Sequence, residues 1–358
     1  MDTERRLASL RAKMDEEDLE ALWVTGPANR RYLTGFTGTS GYVLVTLHKA
    51  VFFTDFRYME QAAGQVKNCE IRQHGPNVLP DLKAALEEER IVRLGFEQEH
   101  VSYGTYLELA RDLPGVELVP AKGLVEQLRM VKDAGEVEIL RQAARIADEA
   151  FEHILSFVRP GVTEKEVAWE LETFMRSKGA DSASFDTIVA SGARSALPHG
   201  VASDKPIAEG ELVTFDFGAY YRGYCSDLTR TVMVGKETGK HREIYDIVLE
   251  AQMHALENLR PGMTGKEADA LTRNIIQRYG YSDYFGHGTG HGIGLEIHEA
   301  PRLSVTGETV LQPGMTVTVE PGIYLPGFGG VRIEDDVVIT DTGAERLTAS
   351  PKHWTRIG

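Results

Sequence analysis

Leu212-Val213-Thr214-Phe215-Asp216-Phe217-Gly218 and Thr316-Val317-Thr318-Val319-Glu320-Pro321-Gly322 are the two stretches on which the fold turns. Each follows a glycine (Gly210 or Gly314), is rich in β-branched or aromatic residues, and places a carboxylate two residues before another glycine. That composition predicts a strand. Side chains alternate across a strand, so Thr214 shares a face with Asp216, and Thr316 and Thr318 share one with Glu320. Val and Phe fill the opposite faces. A polar row ending in an acid, backed by an apolar row, describes a sheet lining a cavity.

Upstream of each strand the sequence repeats. Residues 150–180 align without a gap with residues 251–281, sharing Arg159/Arg260, Pro160/Pro261, Gly161/Gly262, Thr163/Thr264, Glu166/Glu267 and Gly179/Gly280 among others. Each copy reads as a helix stopped by Arg-Pro-Gly, then a Thr-x-x-Glu capping box opening a second helix, then Gly. The repeat predicts a domain of two similar halves around a pseudo-two-fold axis.

Before it, Leu7, Leu10, Met14 and Leu19 recur at near-helical spacing. Ala21–Thr25, Gly41–Thr46 and Ala50–Thr54 read as buried strands, Leu82–Arg90 as a helix and Ile91–Phe96 as a further strand. Residues 1–122 are expected to form one α/β domain and residues 123–358 the duplicated one, with a fresh helix opened by Asp133 and Glu136. Gly35, Gly38 and Gly41 lack dinucleotide spacing and are read as turn residues. The length, 358 residues, suits two domains. A net charge of −15 disfavours nucleic acid or an anionic membrane as partner. Two cysteines, Cys69 and Cys225, provide neither a disulfide framework nor a thiolate zinc site. No apolar run approaches the roughly 20 residues of a membrane span, and Met1–Glu20 lacks a signal core, so a cytoplasmic protein is expected.

Each strand carboxylate has a second acid shortly downstream. Asp227 follows Asp216 across Tyr221-Arg222-Gly223, and Glu334 follows Glu320 across Pro326-Gly327-Phe328-Gly329-Gly330. Two strand–turn–strand units related by the pseudo-dyad would bring four acids to one place. Alone they would repel and protonate; two divalent cations resolve the conflict. The segment Gly286–Glu299 places His287, His291 and His298 among glycines, which admit close backbone approach. One imidazole with four carboxylates is an oxygen-rich site that fits Mn²⁺ or Co²⁺ at least as well as Zn²⁺. Two such ions make a hydrolytic centre, with a water deprotonated near neutral pH and a polarised carbonyl.

These motifs resemble the pita-bread metallopeptidases: Xaa-Pro dipeptidases (prolidases), aminopeptidases P and methionine aminopeptidases. The resemblance covers nearly the whole chain, including a creatinase-like N-terminal α/β domain before the pita-bread α+β catalytic domain. It implies metal ligation by Asp216, Asp227, His291, Glu320 and Glu334, with Asp227 and Glu334 bridging two ions. It also implies Glu320 as proton acceptor, His199 near the substrate carbonyl and proline pocket, and His298 at the tetrahedral intermediate. His287 and Arg332 resemble the proline-specific branch, and none of the five ligands is missing, unlike creatinase.

The implied activity is hydrolysis of Xaa-Pro bonds in small peptides, with two divalent ions, Mn²⁺ foremost, and a homodimeric assembly. An Xaa-Pro bond is a tertiary amide whose imino nitrogen must be protonated to leave, which suits a histidine-rich site. The short N-terminal domain tilts the reading toward a dipeptidase, with aminopeptidase P as the alternative and a non-catalytic or creatinase-like relative as a remote one. A serine nucleophile at Ser191 or Ser195 lacks a Gly-x-Ser-x-Gly elbow.

Overall fold

A computed structural model describes residues 2–358. The chain divides into two units, Met1–Arg129 and Met130–Gly358. The division falls one short helix later than the 122/123 boundary expected from sequence. Helix Leu124–Met130 accounts for the shift: Asn29 Nδ2 donates to Glu126 at 2.6 Å and Tyr32 Oη to the Leu128 carbonyl at 3.2 Å.

The first unit is an α/β sheet of six strands in the order Glu70–Gln73, Ala50–Thr54, Tyr42–Thr46, Ala21–Val24, Arg93–Glu97, Glu117–Ala121. The three strands from Ala21 to Thr54 pair antiparallel, while the outer pairings are parallel. Ala21–Val24 and Ala50–Thr54 are buried at every residue, which explains their unbroken apolar runs. The edge strand Glu70–Gln73 is polar and half-exposed, as an edge should be.

In the second unit the repeat takes the expected form. Helix Ala134–Phe157, capped by Asp133 and Glu136, is followed by helix Glu164–Ser177, capped by Thr163 and Glu166. Helix Gly239–Asn258 and helix Gly265–Arg278, capped by Thr264 and Glu267, repeat the pair. Gly161 and Gly262, at φ 93° and 89°, turn the chain, and their amides donate to Ile207 and Leu311 carbonyls at 2.8 Å each. The halves therefore match in hydrogen bonds as well as in letters.

Each half carries its own sheet. One runs Arg356–Ile357, Leu228–Val234, Glu211–Phe217, Ile188–Ser191; the other runs Glu299–Leu303, Gly290–Gly292, Thr316–Val319, Asp335–Ile339, Ala344–Arg346. Their apolar faces rest on the helices: Phe151, Phe215, Phe217 and Val232 in the first half, Leu259, Val317, Val319 and Val337 in the second. Burying each such side chain contributes about 1.5–3 kcal/mol. Two helix-backed half-barrels facing one another make the pita-bread arrangement. Hairpin Ala219–Tyr221/Tyr224–Cys225 carries the chain from Asp216 to Asp227, with Arg222 and Gly223 both at positive φ as a type I′ turn requires. Hairpin Gly322–Leu325/Gly329–Arg332 carries it from Glu320 to Glu334.

Candidate metal centre

Strand register sets the acids. Asp216 pairs across the ladder with Thr229, and Asp227 stands just before the strand Leu228–Val234. In the other half Glu320 follows the strand Thr316–Val319, and Glu334 precedes Asp335–Ile339. His291 is the middle residue of Gly290–Gly292, whose Gly292 pairs with Val317. Asp227, His291 and Glu334 bring ligand atoms within 4.8 Å of one another. Glu320 Oε1 lies 3.3 Å and Asp227 Oδ2 3.7 Å from His291 Nε2. All nine residues singled out in the sequence (His199, Asp216, Asp227, His287, His291, His298, Glu320, Arg332 and Glu334) line one cavity of about 610 Å³.

The charges in this cavity do not balance. Burial, followed by the repulsion of Glu334, Asp216 and other acids, raises the Asp227 carboxyl well above its usual range. Glu334 is raised well above its range by burial and then by Glu320 and Asp216. Glu320 is pushed up to about 7, chiefly by burial. Burial pushes His291 down to about 3, leaving a neutral imidazole. Asp227 Oδ1 and Glu334 Oε1 are buried without a hydrogen-bond partner among the described residues. Asp335, next in sequence, shows the contrast. Against the burial that raises it, Arg230 Nη2 and Lys352 Nζ, each 2.7 Å away, hold it below the carboxylate range. Orphaned oxygens, crowded acids and a neutral imidazole are the donor set a divalent cation requires, so the residues fit.

A second acid–imidazole group, Glu97, His100 and Glu126, lies in the first unit. Glu97 there already accepts from Thr25 N (2.6 Å), Gly26 N (2.7 Å) and Asn29 Nδ2 (2.6 Å), and so serves the start of helix Pro27–Thr34. Its neighbour Glu126 is tied to the same Asn29 Nδ2 at 2.6 Å, so both acids already have hydrogen-bond partners, unlike Asp227 Oδ1 and Glu334 Oε1.

Around the acids a polar chain links the residues singled out in the sequence through three that were not: Thr229, Tyr324 and Asp336. Arg332 Nη2 donates to Asp216 at 2.5 Å, its Nη1 to Tyr324 Oη at 2.9 Å, and its Nε to Thr229 Oγ1 at 3.1 Å. Tyr324 Oη lies 2.7 Å from His287 Nε2, and burial, then Arg332, push His287 down to about 4. Thr229 in turn donates to Glu334 Oε2 at 2.5 Å. Asp336 accepts the Asp227 backbone amide at 2.9 Å. His298 stacks edge-on to His291 at 4.4 Å between ring centroids and is lowered by burial and Arg302. Arg302 also lines the cavity; its backbone pairs with His291 in the sheet, while its guanidinium has no hydrogen bond or ion pair among the described residues. Its signal was slight: a cation in the strand after the His-Gly run. Ser195 is engaged elsewhere, its Oγ donating to Gly192 O at 2.6 Å and accepting Gly330 N at 2.8 Å.

An acid-lined, cation-seeking cavity at the seam of two half-barrels defines a metallopeptidase, and the chain belongs to metallopeptidase family M24. Residues 138–341 match that family, and residues 6–131 match the creatinase/prolidase N-terminal domain. The chain is 55% identical to the uncharacterized peptidase YqhT of Bacillus subtilis, over 97% of this chain and 98% of the relative. The solved structure of an Xaa-Pro dipeptidase from Bacillus anthracis superposes with a TM-score of 0.97 at 54% identity, covering 99% of each chain. An X-Pro aminopeptidase from Thermotoga maritima superposes at 0.91 and 39% identity, again over 99% of each. Among the described residues no helix is long and apolar enough to cross a membrane.

Proposed function

We propose that this chain hydrolyses Xaa-Pro dipeptides with two divalent ions, Mn²⁺ foremost, held by Asp216, Asp227, His291, Glu320 and Glu334. The observation that carries the reading is the pair of orphaned buried oxygens, Asp227 Oδ1 and Glu334 Oε1, facing neighbouring acids. When bound, the ions supply an acidified water and polarise the scissile carbonyl. Asp227 and Glu334, one from each half, would both help hold the ions, their ligand atoms lying within 4.8 Å of one another and of His291. Glu320, on the cavity wall beside Asp216 and His291, takes the proton of the attacking water. His298 and His199 donate to the developing oxyanion from the cavity wall. Arg332 anchors Asp216 and, through Tyr324, fixes the orientation of His287.

Substrate length turns on Arg302. A free guanidinium on the cavity wall answers the C-terminal carboxylate of a dipeptide, which a longer peptide does not present there. This favours dipeptidase over aminopeptidase P. The test compares Xaa-Pro with Xaa-Pro-Yaa in Mn²⁺. The dipeptide is expected to be the better substrate, and Arg302→Gln to raise KM for it about tenfold or more while sparing the tripeptide. Preference for the tripeptide overturns the dipeptidase reading; inactivity on both overturns Xaa-Pro hydrolysis. We propose in addition that the chain works in the cytoplasm as a homodimer; sedimentation of the Mn²⁺-loaded protein checks the dimer.

A further inference from the structure

Residues 191–203 leave the strand Ile188–Ser191, form a short helical turn at Gly192–Ala196, and present Pro198, His199 and Val201 to the cavity. The group that holds this loop lies outside the cavity. Glu164, first residue of helix Glu164–Ser177, is fully buried. Its Oε1 accepts from Ser191 N at 2.8 Å and Ser191 Oγ at 2.9 Å. Its Oε2 accepts from Ser203 N at 3.0 Å, Ser203 Oγ at 2.6 Å and Arg194 Nε at 3.0 Å. Ser191 and Ser203 are the two ends of the loop, and Arg194, inside it, donates through Nη2 to the Val201 carbonyl at 2.7 Å. One carboxylate thus ties both ends and the middle.

The pseudo-symmetry separates this contact from ordinary helix capping. Thr163 and Glu166 already form the capping box, and the amides of Glu164 and Lys165 donate to the Lys205 and Ser203 carbonyls. In the other half Thr264 and Glu267 cap, and the amides of Gly265 and Lys266 donate to Thr309 and Gly307 in the same way. The counterpart of Glu164 is Gly265, where a Cβ would lie 2.0 Å from the Arg302 carbonyl oxygen. Capping therefore needs no acid at this position. A buried carboxylate is costly unless well hydrogen-bonded, and all of this one's donors, backbone and side chain alike, come from residues 191–203.

We propose that Glu164 is a positioning residue that sets His199 against the substrate. The proposal rests on the role given to His199 above. Glutamine in its place is isosteric but cannot serve. Each oxygen accepts a backbone N–H from one end of the loop, so whichever way the amide faces, its NH₂ meets a donor.

The experiment uses the Mn²⁺-loaded protein and crosses Glu164→Gln with His199→Ala. Alone, Glu164→Gln is expected to lower kcat/KM on an Xaa-Pro dipeptide about tenfold, the loss of one charge-assisted hydrogen bond, with bound metal unchanged. In the His199→Ala background it should cost nothing further. Amide exchange should rise across residues 192–202 and stay unchanged across 285–299. Equal loss in both backgrounds, loss of metal, or unchanged exchange at 192–202 overturns the proposal. If His199→Ala is silent while exchange at 192–202 rises, positioning of the loop is upheld and the assignment of His199 to the reaction fails. Should Glu164→Gln not fold, Ser203→Ala, which removes one donor, is expected to show the same pattern at smaller amplitude, and its absence counts against the proposal.

Discussion

Asp227, 5% exposed, holds an unpartnered buried oxygen among four other acids (Asp216, Glu320, Glu334 and Asp336), a position no carboxylate keeps ionised without a counter-charge. Replacing it by asparagine conserves volume and removes the charge. Asp227→Asn is expected to lower bound metal, read by elemental analysis, and to cut turnover by more than about a hundredfold, beyond what loss of an outer hydrogen bond costs. Retained turnover would refute its role. His298 makes the opposite case. It lies against His291 and is a donor rather than a ligand in the proposed reaction, so His298→Ala should cost on the order of a hundredfold in kcat at unchanged metal content. Equal loss of both would make it a ligand or a structural residue. At this scale the acids and histidines were legible because chemistry restricts them to few types at matched spacings. Tyr324, Asp336 and Arg302 were not. Asp336 acts by accepting a backbone amide, and Tyr324 by meeting Arg332 and His287 across a hairpin, contacts with no local sequence pattern.

Strands and caps were the most readable elements. The Thr-x-x-Glu boxes at Thr163 and Thr264 and the Asp133–Glu136 box each start a helix, since each satisfies amides that nothing else can. Helices Pro27–Thr34 and Tyr103–Asp112 were missed. The first has no side-chain cap of its own and begins at Gly26, whose amide Glu97 binds from far along the chain. The second is mostly exposed and buries little apolar surface beyond Leu109, so its periodicity is faint. The short strand Gly290–Gly292 depends on glycine for a different reason. A Cβ on Gly290 would stand 1.9 Å from the Thr318 carbonyl oxygen, in the backbone of the strand that leads to Glu320. Gly290→Ala is expected to destabilise the protein by about 3 kcal/mol or more, measured by denaturant unfolding, and to weaken metal binding as His291 shifts. A neutral substitution would show that the strand can slide without cost.

Over the whole molecule, titration opposes itself. Asp227, Glu334 and Asp336 are raised well above their usual range, chiefly by burial, and Glu320 to about 7. The folded chain therefore holds protons that the unfolded chain releases near pH 4, and these groups lose stability as pH rises. His287 at about 4 and His291 at about 3 do the reverse, gaining stability up to about pH 6.5, where unfolded imidazole loses its proton. Above that the raised carboxyls continue to lower stability, while Lys352, lowered by burial, acts in the opposite sense only as pH nears the ordinary lysine range. The Tm of chelator-treated protein is expected to fall from about pH 6.5 to about pH 8, and added Mn²⁺ to raise it more at the upper end. A metal-free Tm that climbs over that interval would contradict the account.

The two halves of the second unit contribute unequally to one centre: Asp216 and Asp227 from the first, His291, Glu320 and Glu334 from the second. Neither cysteine is bonded, so no covalent link closes the long loops between these positions. On the proposed ligation the ions do so instead, acting as a reversible staple across the seam. Such a staple strengthens with the logarithm of free ion concentration. The hold of one half on the other is then governed in part by the surrounding solution, and a chain short of metal would open first along the line where its active site lies.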